Sequence, residues 1–280
     1  MPHLAILGLG RMGTAMARRF SAQGHALTGW TRSGRSPDGI ATATFEDAVA
    51  RADTIVTSLY DDTAVAETLD RLATLDLTGK LIVETSTVRP QVLRSRLDAL
   101  QAAGASAVDA PISGGPELVE AGHCGIFIGG TDADAARAIE TLTSLTDRIF
   151  HTGPLGTGMA MKTVNNAMIQ AYFAGLAELL PLARESGLDF ETAIRILATG
   201  PAGMPLLKDR LPKALGEDDT VGFSLADVMK DNAVFRAALT DAGLPTPLLD
   251  RFAMLAGEAT EAGAGPNDVA AFVPFAYDRR

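Results

Sequence analysis

Short apolar runs and amphipathic stretches alternate along the first half of the chain. Apolar runs fall at Leu4–Leu7, Ala26–Trp30, Thr54–Leu59, Leu81–Glu84, Ala105–Asp109 and Gly125–Ile128, and each reads as a strand. Between them, Phe45–Ala52, Thr63–Leu75, Pro90–Ala103 and Asp132–Leu145 carry apolar residues at helical spacing. This alternation predicts βαβ units and a doubly wound parallel sheet. Gly24, Gly79 and Gly104 stand where helices should end in a left-handed residue. Pro90 suits a first helical turn. The character changes over His151–Gly158, a Gly/Pro-rich stretch that marks a boundary. Beyond it the chain is nearly all helical: Met159–Ser186, closed by Gly187, then Glu191–Ala198, Leu225–Ala242 and Thr246–Glu261. Met161, Val164, Met168, Tyr172 and Leu176 recur at three- and four-residue spacing on the first of these, which is expected to be buried all round. The expected architecture is α/β: a doubly wound sheet over residues 1–157, then an all-α domain over 158–280 entered by a long interdomain helix.

Composition narrows the class. With 47% hydrophobic and 21% charged residues, the 280-residue chain has the balance of a packed globular protein, not a disordered one. The net charge is −10, and lysine and arginine are not gathered in runs, which argues against a nucleic-acid surface. An anionic ligand must therefore be held by local features. Cys124 is the only cysteine, which excludes an internal disulfide and suits a reducing cytoplasm. No basic-then-apolar leader and no apolar run of about 18 residues is present, so neither export nor a membrane span is expected.

The first strand runs straight into Gly8-Leu9-Gly10-Arg11-Met12-Gly13 and then into a helical pattern. Strand, Gly-x-Gly-x-x-Gly turn and helix, in that order, form the dinucleotide-binding fingerprint of a Rossmann sheet. The first glycine permits the tight turn, the second lets a pyrophosphate approach the backbone, and the third lets helix and strand pack closely. After the second strand comes Thr31-Arg32-Ser33-Gly34-Arg35, with no acid before Asp38. A carboxylate at this point would bind the 2′-hydroxyl of NAD, whereas an arginine accommodates the 2′-phosphate of NADP. The pattern points to NADP over NAD, with Arg32 leading, Thr31 and Ser33 supporting, and Arg35 a further candidate.

Three later stretches carry candidate chemistry. Thr87, in Glu84-Thr85-Ser86-Thr87, ends a strand, where it either reaches the nicotinamide ribose or caps the helix at Pro90. Ser113-Gly114-Gly115 offers a hydroxyl and open backbone N–H groups that suit a carboxylate, although alone it reads as a tight turn. Lys162 sits in a strongly apolar helix, and Asn166 comes four residues later on the same face. Together they can grip one oxygen; the spacing fits equally a lysine that snorkels at a helix start.

Taken together, these motifs resemble the β-hydroxyacid dehydrogenases, the group containing 3-hydroxyisobutyrate dehydrogenase, tartronate semialdehyde reductase and the glyoxylate/succinic semialdehyde reductases. The resemblance spans the chain, through Gly8–Gly13, Ser86-Thr87, Asp109–Gly115, Gly156–Asn166 and Met229-Lys230-Asp231. It implies a catalytic lysine at Lys162 with Asn166 beside it, and a substrate-carboxylate turn at Ser113, Gly114 and Gly115. It implies cofactor contacts at Thr87, Lys230, Leu59 and Tyr60, and site closure by Phe223 and Asp231. It also implies hydride exchange between NADPH and a small carboxylic acid, no metal, and a homodimer or homotetramer.

The chain departs from that family after Gly115, where two small residues give way to Leu118 and Val119, flanked by Glu117 and Glu120. This is expected to reshape the pocket or to repel a second carboxylate. His123 and Cys124 have no partner spacing for a metal and read as structural. Two alternatives stand beside the dehydrogenase reading. Imine reductases share the glycine turn and the long helix but lack a lysine at the position of Lys162. A non-catalytic NADP-binding scaffold would bind cofactor without turnover.

Overall fold

The computed structural model describes residues 2–279. It divides into two compact units, one ending at Val164 and the other beginning at Asn165, inside the long helix.

The first unit is built around one sheet. Its elements are β1 (Leu4–Leu7), α1 (Arg11–Ala22), β2 (Leu27–Trp30), α2 (Phe45–Arg51), β3 (Thr54–Thr57), α3 (Asp62–Leu72) and β4 (Leu81–Glu84). Then come α4 (Pro90–Arg94), α5 (Leu97–Ala102), β5 (Ser106–Asp109), β6 (Ile112–Ser113), α6 (Pro116–Ala121), β7 (Gly125–Gly129), α7 (Asp132–Leu142) and β8 (Ile149–Gly153). The strand order is β2-β1-β3-β4-β5-β7, with β6 and β8 both pairing β7. Strands β1 to β5 are all parallel. The chain leaves β1 toward β2 and returns to β3 on the other side, so the direction of winding reverses between β1 and β3.

Side chains alternate across the strands and feed two cores. Leu4 and Ile6 of β1 join Met16 and Phe20 of α1 and Leu142 of α7 in one cluster. Ala5 and Leu7 join Phe45, Val65, Leu69, Val92 and Leu100 in the other, on α2 to α5. Gly24, Gly79 and Gly104 do turn left-handed, with φ of +87°, +75° and +97°.

The sheet departs from the expected one in its second half. Strand β7 runs antiparallel to β5, meeting it at Asp109 and Gly129, and two-residue β6 folds back on β7. Residues 151–153 are not linker but the end of β8, parallel to β7. The expected helix 90–103 is two helices, broken at Ser95 and Arg96.

The second unit is helical. Helix α8 (Thr157–Glu185) begins in the first unit and ends before Gly187, whose φ is +82°. It is followed by α9 (Phe190–Thr199), α10 (Pro205–Asp209), α11 (Leu211–Ala214), α12 (Leu225–Asp241), α13 (Pro247–Ala259) and α14 (Phe272–Asp278). Their core centres on Phe272, fully buried, with ring centroids 5.9 Å from Phe173 and 5.6 Å from Phe252. Helix α8 is not buried all round. Phe173, Leu176, Ala177 and Leu180 face the core, while Met161, Val164, Met168, Leu179 and Leu182 are 38%, 57%, 66%, 67% and 69% exposed. The apolar stripe read from the sequence therefore splits between two faces. Among the described residues no helix is long and apolar enough to cross a membrane.

Phe272→Ala empties the middle of this aromatic cluster. It is expected to cost about 3–5 kcal/mol, read by urea unfolding; a loss under about 1 kcal/mol would show the cluster to be peripheral.

Candidate active site

Five parallel strands deliver their connecting loops to one edge of the sheet. Gly8–Gly13 follows β1, Thr31–Ser33 follows β2, Leu59 and Tyr60 follow β3, Thr87 follows β4, and Ser113 to Gly115 lie just beyond β5. The row from β2 to β5 is four inter-strand steps, about 19 Å. Its middle is the point where the winding reverses, the ordinary place for a ligand crevice.

The three glycines of the turn are required for different reasons. Gly8 has φ +104°, and a Cβ there would stand 2.1 Å from the Ser58 carbonyl oxygen. A Cβ on Gly13 would stand 1.8 Å from the carbonyl oxygen of Gly8. Around Gly10 nothing lies within 4 Å of where a Cβ would be. The fold itself therefore demands Gly8 and Gly13, while the open space at Gly10 fits a group brought up against the backbone. Helix α1 starts at Gly10 with no side-chain cap and no acid in its first turn, which leaves its leading N–H groups available to an anion. Leu9 is buried and Met12 packs against the core, so these two residues offer the turn their backbone only. Arg11 is exposed, 3.7 Å from Glu117.

The turn after β2 is internally tied: the Thr31 hydroxyl donates to the Arg35 carbonyl at 3.1 Å, and Gly34 N–H to the Thr31 carbonyl at 3.1 Å. Arg32 and Ser33 project from it, exposed. Beyond β3, Leu59 N–H donates to the Ser86 hydroxyl at 2.8 Å, while Tyr60 is exposed. Helix α4 starts from Arg89 without a side-chain cap, so the capping alternative for Thr87 is not used.

Ser113-Gly114-Gly115 leads into α6, and Gly114 has φ +129°. Here the structure corrects the expectation for Glu117 to Glu120. Val119 is fully buried in the core, and Glu117 and Glu120 face Arg11 and Arg18 of α1, at 3.7 and 3.4 Å. Neither acid is directed at the Gly114 turn. Leu118, 44% exposed, is the one of the four that lies against the turn: its Cδ1 would stand 3.2 Å from a Cβ on Gly114.

Lys162 is buried, and its Nζ donates to the Ile112 carbonyl at 2.6 Å, immediately before Ser113. Burial of an ammonium is costly unless a polar partner takes it, and this carbonyl holds it beside the turn. Asn166 lies one helical turn on, and its side-chain oxygen accepts from Asn165 at 2.9 Å. In the second unit, Lys230 and Asp231 form an ion pair at 2.9 Å on α12. Asn232 donates to Gln170 at 2.8 Å and to the Leu249 carbonyl at 3.1 Å, tying α12 to α8 and α13. Phe223 is half-buried, with its N–H 3.2 Å from Asp268, which also pairs with Arg210. Among the described residues no group of three or more His, Cys, Asp or Glu is arranged to hold a metal.

Two functional candidates escaped the sequence reading: Glu84 and Asp109, the last residues of β4 and β5, both with no exposed surface. Glu84 accepts from the Thr57 hydroxyl at 2.5 Å and from Ser86 N–H at 2.6 Å, and burial pushes its carboxyl up to about 7. Asp109 accepts the N–H groups of Gly156 and Met159 at the start of α8, and burial pushes it up to about 6. The available signal was an acid closing each of two strands whose preceding residues are otherwise apolar or small.

Residues 3–153 match the family described as the NAD binding domain of 6-phosphogluconate dehydrogenase. Residues 156–276 match the NAD-binding portion of NADP-dependent 3-hydroxyisobutyrate dehydrogenase. The chain belongs to the β-hydroxyacid dehydrogenase family. Mitochondrial 3-hydroxyisobutyrate dehydrogenase of Drosophila melanogaster is 28% identical over 261 residues, covering 88% of this chain and 80% of that protein. The NAD-dependent L-serine dehydrogenase of Pseudomonas aeruginosa is 28% identical over 267 residues, covering 89% of both. Among solved structures, Mycobacterium tuberculosis 3-hydroxyisobutyrate dehydrogenase with L-serine aligns at a TM-score of 0.88 and 25% identity, covering 98% of this chain and 99% of that one. The chain is thus an NAD(P)-binding dehydrogenase or reductase of the β-hydroxyacid dehydrogenase type.

Gly10→Ala and Gly13→Ala separate fold from ligand. Gly10→Ala is expected to leave the melting temperature within about 2 °C and weaken NADPH binding at least about tenfold; Gly13→Ala is expected to destabilise the protein outright. Equal loss of stability in both, by thermal melts with and without NADPH, contradicts the assignment.

Proposed function

We propose that the protein is an NADP-dependent oxidoreductase that moves hydride between NADPH and a small semialdehyde or keto acid, or the reverse from a β-hydroxy acid. The observation that carries this reading is the buried Lys162 ammonium, held 2.6 Å from the Ile112 carbonyl, directly ahead of the Ser113 turn. On this reading the acid–base group stands beside the carboxylate cradle, and the bond from Lys162 to Ile112 supports it. The names of the relatives agree: 3-hydroxyisobutyrate and L-serine both carry a hydroxyl on the carbon β to a carboxylate.

The cofactor would be held by Gly8 to Gly13, Leu59, Tyr60 and Thr87, and by Lys230. Thr31, Arg32 and Ser33 would take the 2′-phosphate. When bound, the nicotinamide supplies or accepts the hydride. Ser113, Gly114 and Gly115 hold the substrate carboxylate by hydroxyl and N–H donors. Lys162 donates a hydrogen bond to the carbonyl oxygen, stabilises the negative charge that grows there and hands over its proton. In oxidation the neutral amine takes that proton back. Asn166 orients the same oxygen, and Phe223 and Asp231 close the site. Residues 158–280 serve substrate closure and pairing of a cytoplasmic homodimer or homotetramer, for which the exposed apolar residues along α8 are the support.

Oxidation of 3-hydroxyisobutyrate and L-serine, and reduction of succinic semialdehyde, glyoxylate and a cyclic imine, test the reaction class. Turnover is expected among the acids. Lys162→Ala is expected to lower kcat by about 10²–10⁴-fold with NADPH binding retained; a change under about tenfold, 1.4 kcal/mol, refutes the role. Turnover of the imine alone would favour imine reduction, and binding without any turnover a scaffold.

The cofactor preference has its own test. NADPH is expected to exceed NADH in kcat/KM, and Arg32→Ala to lower the NADPH value about 10- to 100-fold, since a guanidinium–phosphate pair is lost. A wild-type preference for NADH overturns it.

A further inference from the structure

Glu84 and Asp109 are register partners on neighbouring parallel strands, and the proposed hydride transfer uses neither. Their hydrogen bonds divide the work between them. Glu84 is satisfied on the side of the β3 and β4 loops, by Thr57 and Ser86. Asp109 turns to α8: one carboxylate oxygen accepts Gly156 N–H, and the other accepts Met159 N–H at 2.7 Å. These N–H groups precede or open the first turn of α8, where the helix has no carbonyl of its own to offer them. A carboxylate there also meets the positive end of the helix dipole.

The geometry ties this contact to Lys162. Lys162 stands three residues beyond Met159 on α8, and its Nζ bonds the carbonyl of Ile112, three residues beyond Asp109. The segment 109–112 therefore grips α8 twice, once at its start through Asp109 and once through the lysine ammonium. It then runs directly into Ser113-Gly114-Gly115. The height and rotation of the helix relative to that turn are set by the first grip.

We propose that Asp109 is the positioning residue of this enzyme: as a carboxylate it sets α8 so that the Lys162 ammonium meets the substrate beside the Ser113 turn. This rests on the reading of Lys162 as proton donor. Arg94 on α4 acts on Asp109, and Asp109 in turn acts on Glu84 on β4; Lys162 lies further along α8, and β7 brings no titratable side chain. As pH falls through about 6, Asp109 takes up a proton. One oxygen then presents an O–H to a backbone N–H, and the grip on α8 loosens. In the reduction direction an acid catalyst loses nothing by falling pH, so rate lost on the acid side by the wild type and not by an Asp109 variant reports Asp109.

Asp109→Asn tests this, since it keeps the shape and one acceptor but sets an NH₂ against an N–H donor. With glyoxylate or succinic semialdehyde, whichever the wild type reduces faster, kcat is expected to fall about 10- to 100-fold. The cofactor KM is expected to stay within about threefold. The wild-type kcat is expected to fall below about pH 6 while NADPH affinity by fluorescence holds, and the variant to lack that acid limb. Amide exchange in the segment 155–162 is expected to speed up in the variant, a readout that needs no substrate. Wild-type kcat in Asp109→Asn, unchanged exchange, or parallel loss of kcat, cofactor affinity and melting temperature overturns the proposal. Should the variant not fold, a wild-type kcat flat between about pH 5 and about pH 7 overturns it alone. Inactive Lys162→Ala beside fully active Asp109→Asn removes this proposal and leaves the lysine reading standing; active Lys162→Ala removes both.

Discussion

Five neighbouring strands run the same way, and each therefore releases the chain on the same edge of the sheet. That single constraint brings together residues that are far apart in sequence: the glycine turn after β1, Arg32 after β2, Leu59 after β3, Thr87 after β4 and the Ser113 turn after β5. Reversing one strand would send its loop to the opposite edge. Where the sheet does turn antiparallel, at β7, the chain has already passed the Ser113 turn, and the change of direction folds β6 against β7 beside it. The antiparallel pair does not break the row of loops; it closes the row at the end where Ser113 lies.

The same edge accounts for the two buried carboxylates. A charged group with no exposed surface is expensive unless fixed donors replace water. Each acid has such donors. Glu84 has a hydroxyl and one N–H, and a hydroxyl can turn to accept, so a protonated Glu84 remains satisfied. Asp109 has two backbone N–H groups, which can only donate, so it is satisfied only as a carboxylate. Burial raises both carboxyls, and the donor sets make protonation easier to accommodate at Glu84 than at Asp109.

Much of this was legible in the sequence because it is local. The strand ahead of Gly8, the glycine spacing, the left-handed ends at Gly24, Gly79 and Gly104, and the helical period through Lys162 and Asn166 each depend on residues a few positions apart. The features that the sequence did not disclose are long-range. Two-residue β6 is too short to carry a period, and β8 pairs through residues that also read as a Gly/Pro boundary. Lys162 donates to a main-chain carbonyl, that of Ile112, which no side-chain motif encodes. The exposed side of α8 differs from the expectation because apolar content along a helix does not by itself fix which of its faces the chain buries.

The stretch after Gly115 shows how such a misreading resolves. Read along the chain, Leu118 and Val119, with Glu117 and Glu120 flanking them, stand beside the Ser113–Gly115 turn. On helix α6 they separate by angle. Val119 points into the core and fills volume there, so its bulk bears on packing against α1. Glu117 and Glu120, three residues apart, share the side that meets Arg11 and Arg18, where they pin α6 to α1, the helix that follows the glycine turn. Exposed ion pairs of this kind contribute little stability each, but they draw both acids away from the turn. Only Leu118 is left against Gly114, and it adds apolar surface there, not charge. The departure from the family pattern therefore bears on the shape and wetness of the ground beside the Ser113–Gly115 turn. If the turn holds a substrate carboxylate, as proposed, a wall of this kind disfavours a second hydrated group there, by desolvation and not by repulsion.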